Sequence, residues 1–248
     1  MRVSVEQDGR VAVVTLTRPE KHNAIDAEML EALAAAGETL AASRELRAVV
    51  LTGAGRSFCS GLDIPSFVRA GADLRAMLAE PPPNRFQRAA CVWLELPVPV
   101  IAAVHGNCIG GGLQIALAAD IRLAAADARL SLAEVRWGLV PDMAITATLP
   151  RLVGVDVAKE LTYTARTLES EEAARLGLIT RVVEDPLAQA RALAAEIAER
   201  SPDAVRAAKR LLDEGWHAGR KEGLALEARL QLELVAGAVQ AAGQGLEP

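Results

Sequence analysis

Two stretches of the 248-residue chain combine small residues with bare main-chain donors: "SFCSGLDI" (57–64) and "GNCIGGGLQIALAAD" (106–120). In the second, four glycines fall within seven residues, and an apolar run with helical spacing follows. Glycine opens torsions closed to other residues and lets a ligand come close to the amides. The first N–H groups of a helix have no intrahelical partner, and the helix dipole makes that end partly positive. Such a junction can receive negative charge with backbone alone. The dinucleotide fingerprint GxGxxG is absent, because Gly106 is followed by Asn107 and Cys108. The phosphate loop is absent too, since no lysine follows Gly111 or Gly112. What remains is a hole for a transient oxyanion. A second reading is equally open: the glycines let a helix pack closely against a neighbouring strand.

Two further carboxylates, Glu134 and Asp142, lie in the stretch "SLAEVRWGLVPD". Leu132, Val135 and Trp137 surround Glu134 in sequence, an apolar setting of the kind that raises a carboxylate's pKa toward a working range. The alternative is an exposed glutamate at a strand end. Asp142 follows Pro141 and precedes a helix expected from about residue 144, so an N-cap is its ordinary role. Gln114 can orient water or substrate, but an amide neither gives nor accepts a proton near neutral pH. Cys59 and Cys108 lie near the loops without a histidine partner, which argues against a thiol nucleophile. His105 reads as the end of a strand, Tyr163 as helix packing, and Trp137 as packing against a pocket or core. His22, His105 and His217 show no metal-ligand spacing, so no metal site is expected.

The elements that must position these residues alternate. "RVSVEQDGRVAVVTLTRP" reads as a hairpin turning at Asp8-Gly9 in type I′ geometry, with Pro19 ending the second strand. Asp26 caps a helix through about Ser43, with Met29, Leu30, Leu33 and Leu40 on one side. "RAVVLTG", "VPVIAAVHG" and "DIRLAA" read as strands, and the pattern is α/β with a buried, largely parallel sheet. Residues 65–85, with Gly71 and Pro81-Pro82-Pro83, read as a mobile or variable segment. From Asp156 the chain becomes helical through "DVAKELTYT", "ESEEAARLG" and "DPLAQARALAAEIAERS", with a short strand "LITRVVE" among them.

Composition narrows the function. Hydrophobic residues make up 51%, enough for a large core, and the net charge is −5 with scattered basic residues. Neither nucleic acid nor an acidic membrane surface is an expected partner. No stretch is long and apolar enough to span a bilayer. The three cysteines form no CxxC pair, and "MRVSVEQDGR" carries no leader signal, so free thiols and a cytoplasmic location are expected.

Five blocks in register, "LTRPEKHNAID", "VVLTGAGRSFCSGLDI", "PVIAAVHGNCIGGGLQIALAADIRLAA", "SLAEVRWGLVPD" and "LPRLVG", resemble the enoyl-CoA hydratase/isomerase (crotonase) family from about Val3 to Val183. The resemblance implies a spiral of ββα units that binds an acyl-CoA thioester. Residues 1–195 would form the acyl-CoA-binding core, and residues 196–248 a C-terminal helical region used in assembly of a homotrimer or a hexamer of paired trimers. Coenzyme A would be part of the substrate, with no separate cofactor.

It also implies that the N–H groups of Leu62 and Gly111 hold the thioester oxygen. Ala24 and Ile25 would border the adenosine, and Arg18 and Lys21 would meet phosphates unless they are simply solvated charges. Ser60, Leu62, Asp63 and Ile64 would line the bend toward the thioester, with Asp63 alternatively capping the next turn, and Gly110 would stand beside Gly111. Family hydratases usually carry two glutamates. Here Glu134 matches one, and Gln114 replaces the other. Asp142 stands where some relatives, certain isomerases and an aryl-CoA dehalogenase among them, place a working acid. These departures favour isomerase or atypical lyase chemistry. The alternative is an acyl-CoA-binding protein without turnover. The usual basic C-terminal segment over CoA is replaced by "VAGAVQAAGQGLEP".

Overall fold

The computed structural model describes residues 1–69 and 73–243; Gly71 lies outside them. Nine strands form two sheets. The larger follows the order β1 (Val3–Asp8), β2 (Val11–Leu16), β3 (Ala48–Gly53), β4 (Val100–Val104), β6 (Ile121–Ala124) and β9 (Arg181–Val182). The smaller is β5 (Asn107–Ile109), β7 (Arg129–Ser131) and β8 (Leu168–Glu169). In the larger sheet only the β1–β2 pair is antiparallel; the rest is parallel.

The strands β3 and β4 are buried along their whole length, which is why they read as unbroken apolar runs. Their side chains alternate between two cores. Val49, Leu51, Val100, Ala102 and Val104 face one, and Ala48, Val50, Ile101 and Ala103 face the other. Helices α1 (Ala27–Ala41) and α4 (Arg85–Leu94) cover the first face. Their seam closes over Gly37, where a Cβ would lie 2.2 Å from a Val92 methyl. The second face is covered by α9 (Pro186–Ala198), whose Ala190 and Ala194 let it lie close to the sheet.

Short helices complete the body: α2 (Ile64–Arg69), α3 (Leu74–Leu78), α5 (Gly111–Leu117), α6 (Ile145–Thr148), α7 (Val155–Thr164) and α8 (Ser170–Leu176). Helices α10 (Pro202–Gly215) and α11 (Arg220–Gly243) follow. The 195/196 position falls inside α9, which packs on the sheet. No helix of the described residues is long and apolar enough to cross a membrane.

Several expectations are corrected. The hairpin turns at Gly9-Arg10, between the paired residues Asp8 and Val11, one residue later than expected. Only Gly9 has a positive φ (56°), the type II′ pattern rather than I′. Two short helices, α2 and α3, occupy part of the 65–85 segment. Helix α4 was not foreseen, although Asn84 and Gln87 form a full capping box at its start. Asp26 does cap α1, its Oδ1 accepting from Met29 N at 2.9 Å.

Candidate active site

The parallel strands β3 and β4 end side by side, and the chain leaving each carries one of the glycine loops. Ligands of open α/β sheets bind outside the carboxyl ends of such strands. The two loops are tied by main-chain bonds: Cys59 N to Asn107 O (2.9 Å) and Ile109 N to Cys59 O (3.0 Å).

Leu62 is braced by Ile25 on both sides. Ile25 N donates to Gly61 O and Asp63 N donates to Ile25 O, each at 2.8 Å. The same Ile25 side chain reaches Gly111, where a Cβ would lie 3.2 Å from its Cδ1. Ile25 is fully buried and acts as a strut between the two loops. Among the described residues, neither Leu62 N–H nor Gly111 N–H has a protein acceptor. Gly110 is different, because its N–H donates to Ser131 O at 2.8 Å.

Two of the glycines have local structural roles. Gly110 has φ 53° and ψ −124°, a conformation a side chain resists, and it turns the chain from β5 into α5. Gly112 is a packing glycine: a Cβ there would lie 2.6 Å from Cys59 O and 2.7 Å from Cys59 Cβ.

Glu134 opens a short 3₁₀ turn, Glu134–Trp137, and is the only residue of that turn that is buried. Its Oε1 accepts from Gln114 Nε2 at 2.7 Å, while Oε2 is buried without a protein partner. Gln114, in α5, accepts from Met143 N at 2.8 Å through its own Oε1. Burial pushes the Glu134 carboxyl above the usual carboxylate range; the Gln114 amide pulls it back, and the nearby Asp142 charge adds to the rise. Asp142 is half-buried, and its carboxyl is raised by burial as well. It does not cap α6: the N-cap position is Ala144, at φ 63°, with no side-chain bond.

The remaining predicted residues fall around these. Asp63 caps the start of α2, accepting from Ser66 N at 3.1 Å, and pairs with Arg18 at 2.8 Å, which holds its carboxyl below the usual range against the opposing effect of burial. Arg18 is buried. It also donates to Ala24 O at 3.0 Å and lies 3.6 Å from Asp26, so it is neither a solvated charge nor a free phosphate ligand. Lys21 is exposed. Ala24 is buried; Ser60, partly exposed, donates to Lys21 O at 3.3 Å; Ile64 starts α2 half-buried.

Trp137 departs from expectation. It is 71% exposed and packs against neither core nor pocket in this chain, because the 3₁₀ turn directs only its first residue inward and Gly138, at φ 69°, bends the chain away. Tyr163 is 70% exposed on α7, again not packed. Cys59 and Cys108 are buried, and burial pushes the Cys59 thiol up to about 12, which keeps it unreactive. Sequence reasoning missed Met143, Ser131 and the bracing role of Ile25. All act through main-chain atoms or long-range packing, which side-chain types do not advertise.

An α/β spiral with two free backbone donors at the ends of parallel strands and a buried acid near them is the crotonase type of protein. The comparisons agree. Residues 6–246 match the family model for enoyl-CoA hydratase/isomerase. A short-chain-enoyl-CoA hydratase of Clostridium acetobutylicum is 36% identical over 230 residues, covering 91% of this chain and 86% of its own length. A mitochondrial Delta(3,5)-Delta(2,4)-dienoyl-CoA isomerase of Rattus norvegicus is 36% identical over 214 residues, covering 79% of this chain and 63% of its own. The crystal structure of enoyl-CoA hydratase from Bacillus anthracis superposes with a TM-score of 0.87 at 32% identity, covering 100% of this chain and 98% of that one. This chain belongs to the enoyl-CoA hydratase/isomerase family and is an acyl-CoA-processing enzyme.

Proposed function

We propose that the enzyme shifts a proton along an acyl-CoA thioester through an enolate, as an isomerase of unsaturated acyl-CoA, with Glu134 as the proton carrier. The observation that carries this reading is the Gln114–Glu134 contact at 2.7 Å. Where water addition is served by two carboxylates, this site offers one carboxylate and one amide. Hydration must activate water at C3 and protonate C2. Isomerisation needs a single carrier that removes a proton from C2 and returns it to C4.

In the forward step Glu134 Oε2 takes the C2 proton of a 3-enoyl-CoA. The C–H electron pair becomes the C1=C2 bond of a dienolate as the carbonyl π pair moves onto the thioester oxygen. Leu62 N–H and Gly111 N–H hold that oxygen. Return of the proton to C4 restores the carbonyl and leaves the double bond at C2=C3. The donors bind the enolate more tightly than the neutral carbonyl, so they lower the barrier. Loss of one such donor costs about 10²–10³ in rate in comparable sites. The raised Glu134 carboxyl is matched to accepting and then returning a proton near neutral pH.

Asp142 supports a second reading. It is half-buried, its carboxyl is raised, and its charge acts on Glu134. Paired with Glu134 it would supply the second carboxylate that hydration asks for. Coenzyme A arrives as part of the substrate, and helices α2 and α3 shape the acyl end. The outward Trp137, Val140, Val155 and Tyr163 support a homotrimer or paired trimers, which analytical ultracentrifugation tests.

Turnover on a 3-enoyl-CoA and on crotonyl-CoA decides among these. Isomerisation lost by at least 100-fold in Glu134→Gln, retained in Asp142→Asn, and with no crotonyl-CoA hydration, is the expected result. Hydration lost in both variants would favour the paired carboxylates. Tight acyl-CoA binding with no turnover on any chain length would leave a binding protein.

A further inference from the structure

Both ends of the Gln114 side chain are engaged. Met143 N–H donates to Oε1 at 2.8 Å, and Nε2 donates to Glu134 Oε1 at 2.7 Å. A main-chain N–H can only donate, so it turns the amide oxygen toward Met143 and the NH2 toward Glu134. The NH2 in turn can only donate, so Glu134 Oε1 must accept and cannot present a hydrogen to it. Oε2 is buried and has no protein partner.

We propose that Gln114 is a positioning residue that gives the two oxygens of Glu134 separate tasks: Oε1 is held as a fixed acceptor, and Oε2 alone carries the proton to and from substrate carbon. The inference rests on Glu134 as proton carrier. It adds that a main-chain N–H twenty-nine residues from Gln114, acting through an amide, decides which oxygen works. Without the tie, the carboxyl group can rotate, and the proton can sit on the oxygen turned away from substrate. Buried side chains make this orientation durable: Gln114 is 1% exposed and Glu134 8%. Asp142 is the other ionisable group, among the described residues, whose charge acts on Glu134.

Two measurements test it, both with the full chain and both repeated in an Asp142→Asn background. In the substrate-free protein, the side-chain 15N and NH2 proton resonances of Gln114, assigned by their loss in Gln114→Met, are followed against pH. They are expected to shift through one titration, and that titration is expected to vanish in Glu134→Gln. In steady-state isomerisation of a 3-enoyl-CoA, Gln114→Met is expected to lower kcat by roughly 10–100-fold with KM changed less than threefold. The midpoint of its acid limb is expected to move upward, because the carboxylate loses a donor. Gln114→Asn, one methylene shorter and unable to span both partners, is expected to show the same loss and covers the case of a Met variant that does not fold. Gln114 resonances indifferent to pH, or a Gln114→Met enzyme with wild-type kcat and pH profile, would overturn the inference. A titrating amide in a protein that turns over no thioester would overturn the proposed function, and with it the transfer by Oε2, and leave only the hold of Gln114 on Oε1 standing.

Discussion

The seat of α5 is open to a sharp test through Gly112→Ala. A methyl group there would land 2.6 Å from Cys59 O, 2.7 Å from Cys59 Cβ and 2.9 Å from Cys59 Sγ. Comfortable contacts between such atoms lie near 3.5 Å, so α5 must recede from the Cys59 loop by about 1 Å. The nearest obstacle, Cys59 O, is main chain, and Cys59 Cβ is fixed to it, so neither can swing away. Overpacking of this kind costs about 2 kcal/mol, which in a chain of this size lowers Tm by roughly 4–8 °C. The same movement carries Gly111 N–H away from Leu62 N–H. A misplacement of about 1 Å can cost roughly 100-fold in rate, and the loss is expected in kcat. Thermal denaturation and a 3-enoyl-CoA isomerisation assay read the two effects. Gly111→Ala is the stability control. Its methyl meets Met143 Sδ at 2.8 Å and Ile25 Cδ1 at 3.2 Å, side-chain rather than main-chain atoms, so its cost is expected to be smaller than that of Gly112→Ala. A Gly112→Ala protein with wild-type Tm would refute the wedge. A lowered Tm with unchanged kcat would refute the link between the helix seat and the donor.

Other outcomes follow from the buried charges and thiols. Arg18→Ala takes the 2.8 Å partner from Asp63, while Asp26 keeps Arg2 at 2.7 Å, and is expected to cost about 1–3 kcal/mol in urea denaturation. Glu134 and Asp142 have raised folded-state carboxyls, so their contribution to stability is full below the ordinary carboxylate pKa and is lost as pH rises through the raised values. Glu134→Gln is therefore expected to be stabilising at pH 8 relative to wild type and to lose that advantage at pH 4, as read from urea midpoints; an equal difference at both pH values would contradict the assignment. Native protein at pH 8 is expected to expose at most the half-buried Cys91 to a thiol reagent, with Cys59 and Cys108 reacting only after denaturation.

What could be read from the sequence was what short-range chemistry determines. The first hairpin, α1 with its Asp26 cap, the apolar strands β3 and β4, and the helices α7 to α9 all carry periodic or capping signals. The second sheet does not: β5, β7 and β8 are two or three residues long, too short for any alternation to register. Helix α4 had a legible start in Asn84 and Gln87, hidden behind three prolines. At the site, residue types pointed to the glycine loops, and the five blocks of family resemblance to Glu134 and Gln114. They could not show that Gln114 is anchored by Met143 N, or that Ile25 braces both loops, because these are main-chain and long-range contacts. Trp137 was misread for a related reason: an apolar type in an apolar neighbourhood does not reveal the direction in which a 3₁₀ turn points it.

The pairing of Ile109 with Ser131 has a wider consequence. It places Gly111 and Glu134 two and three residues beyond the same rung, so the amide proposed to receive charge and the carboxyl proposed to carry the proton hang from one pair of strands. Helices α2 and α3 stand outside that pair of strands. If they shape the acyl end as proposed, substitutions there are expected to retune which acyl chains are accepted while the chemistry stays as it is, so selectivity and reaction type would evolve on separate parts of the chain.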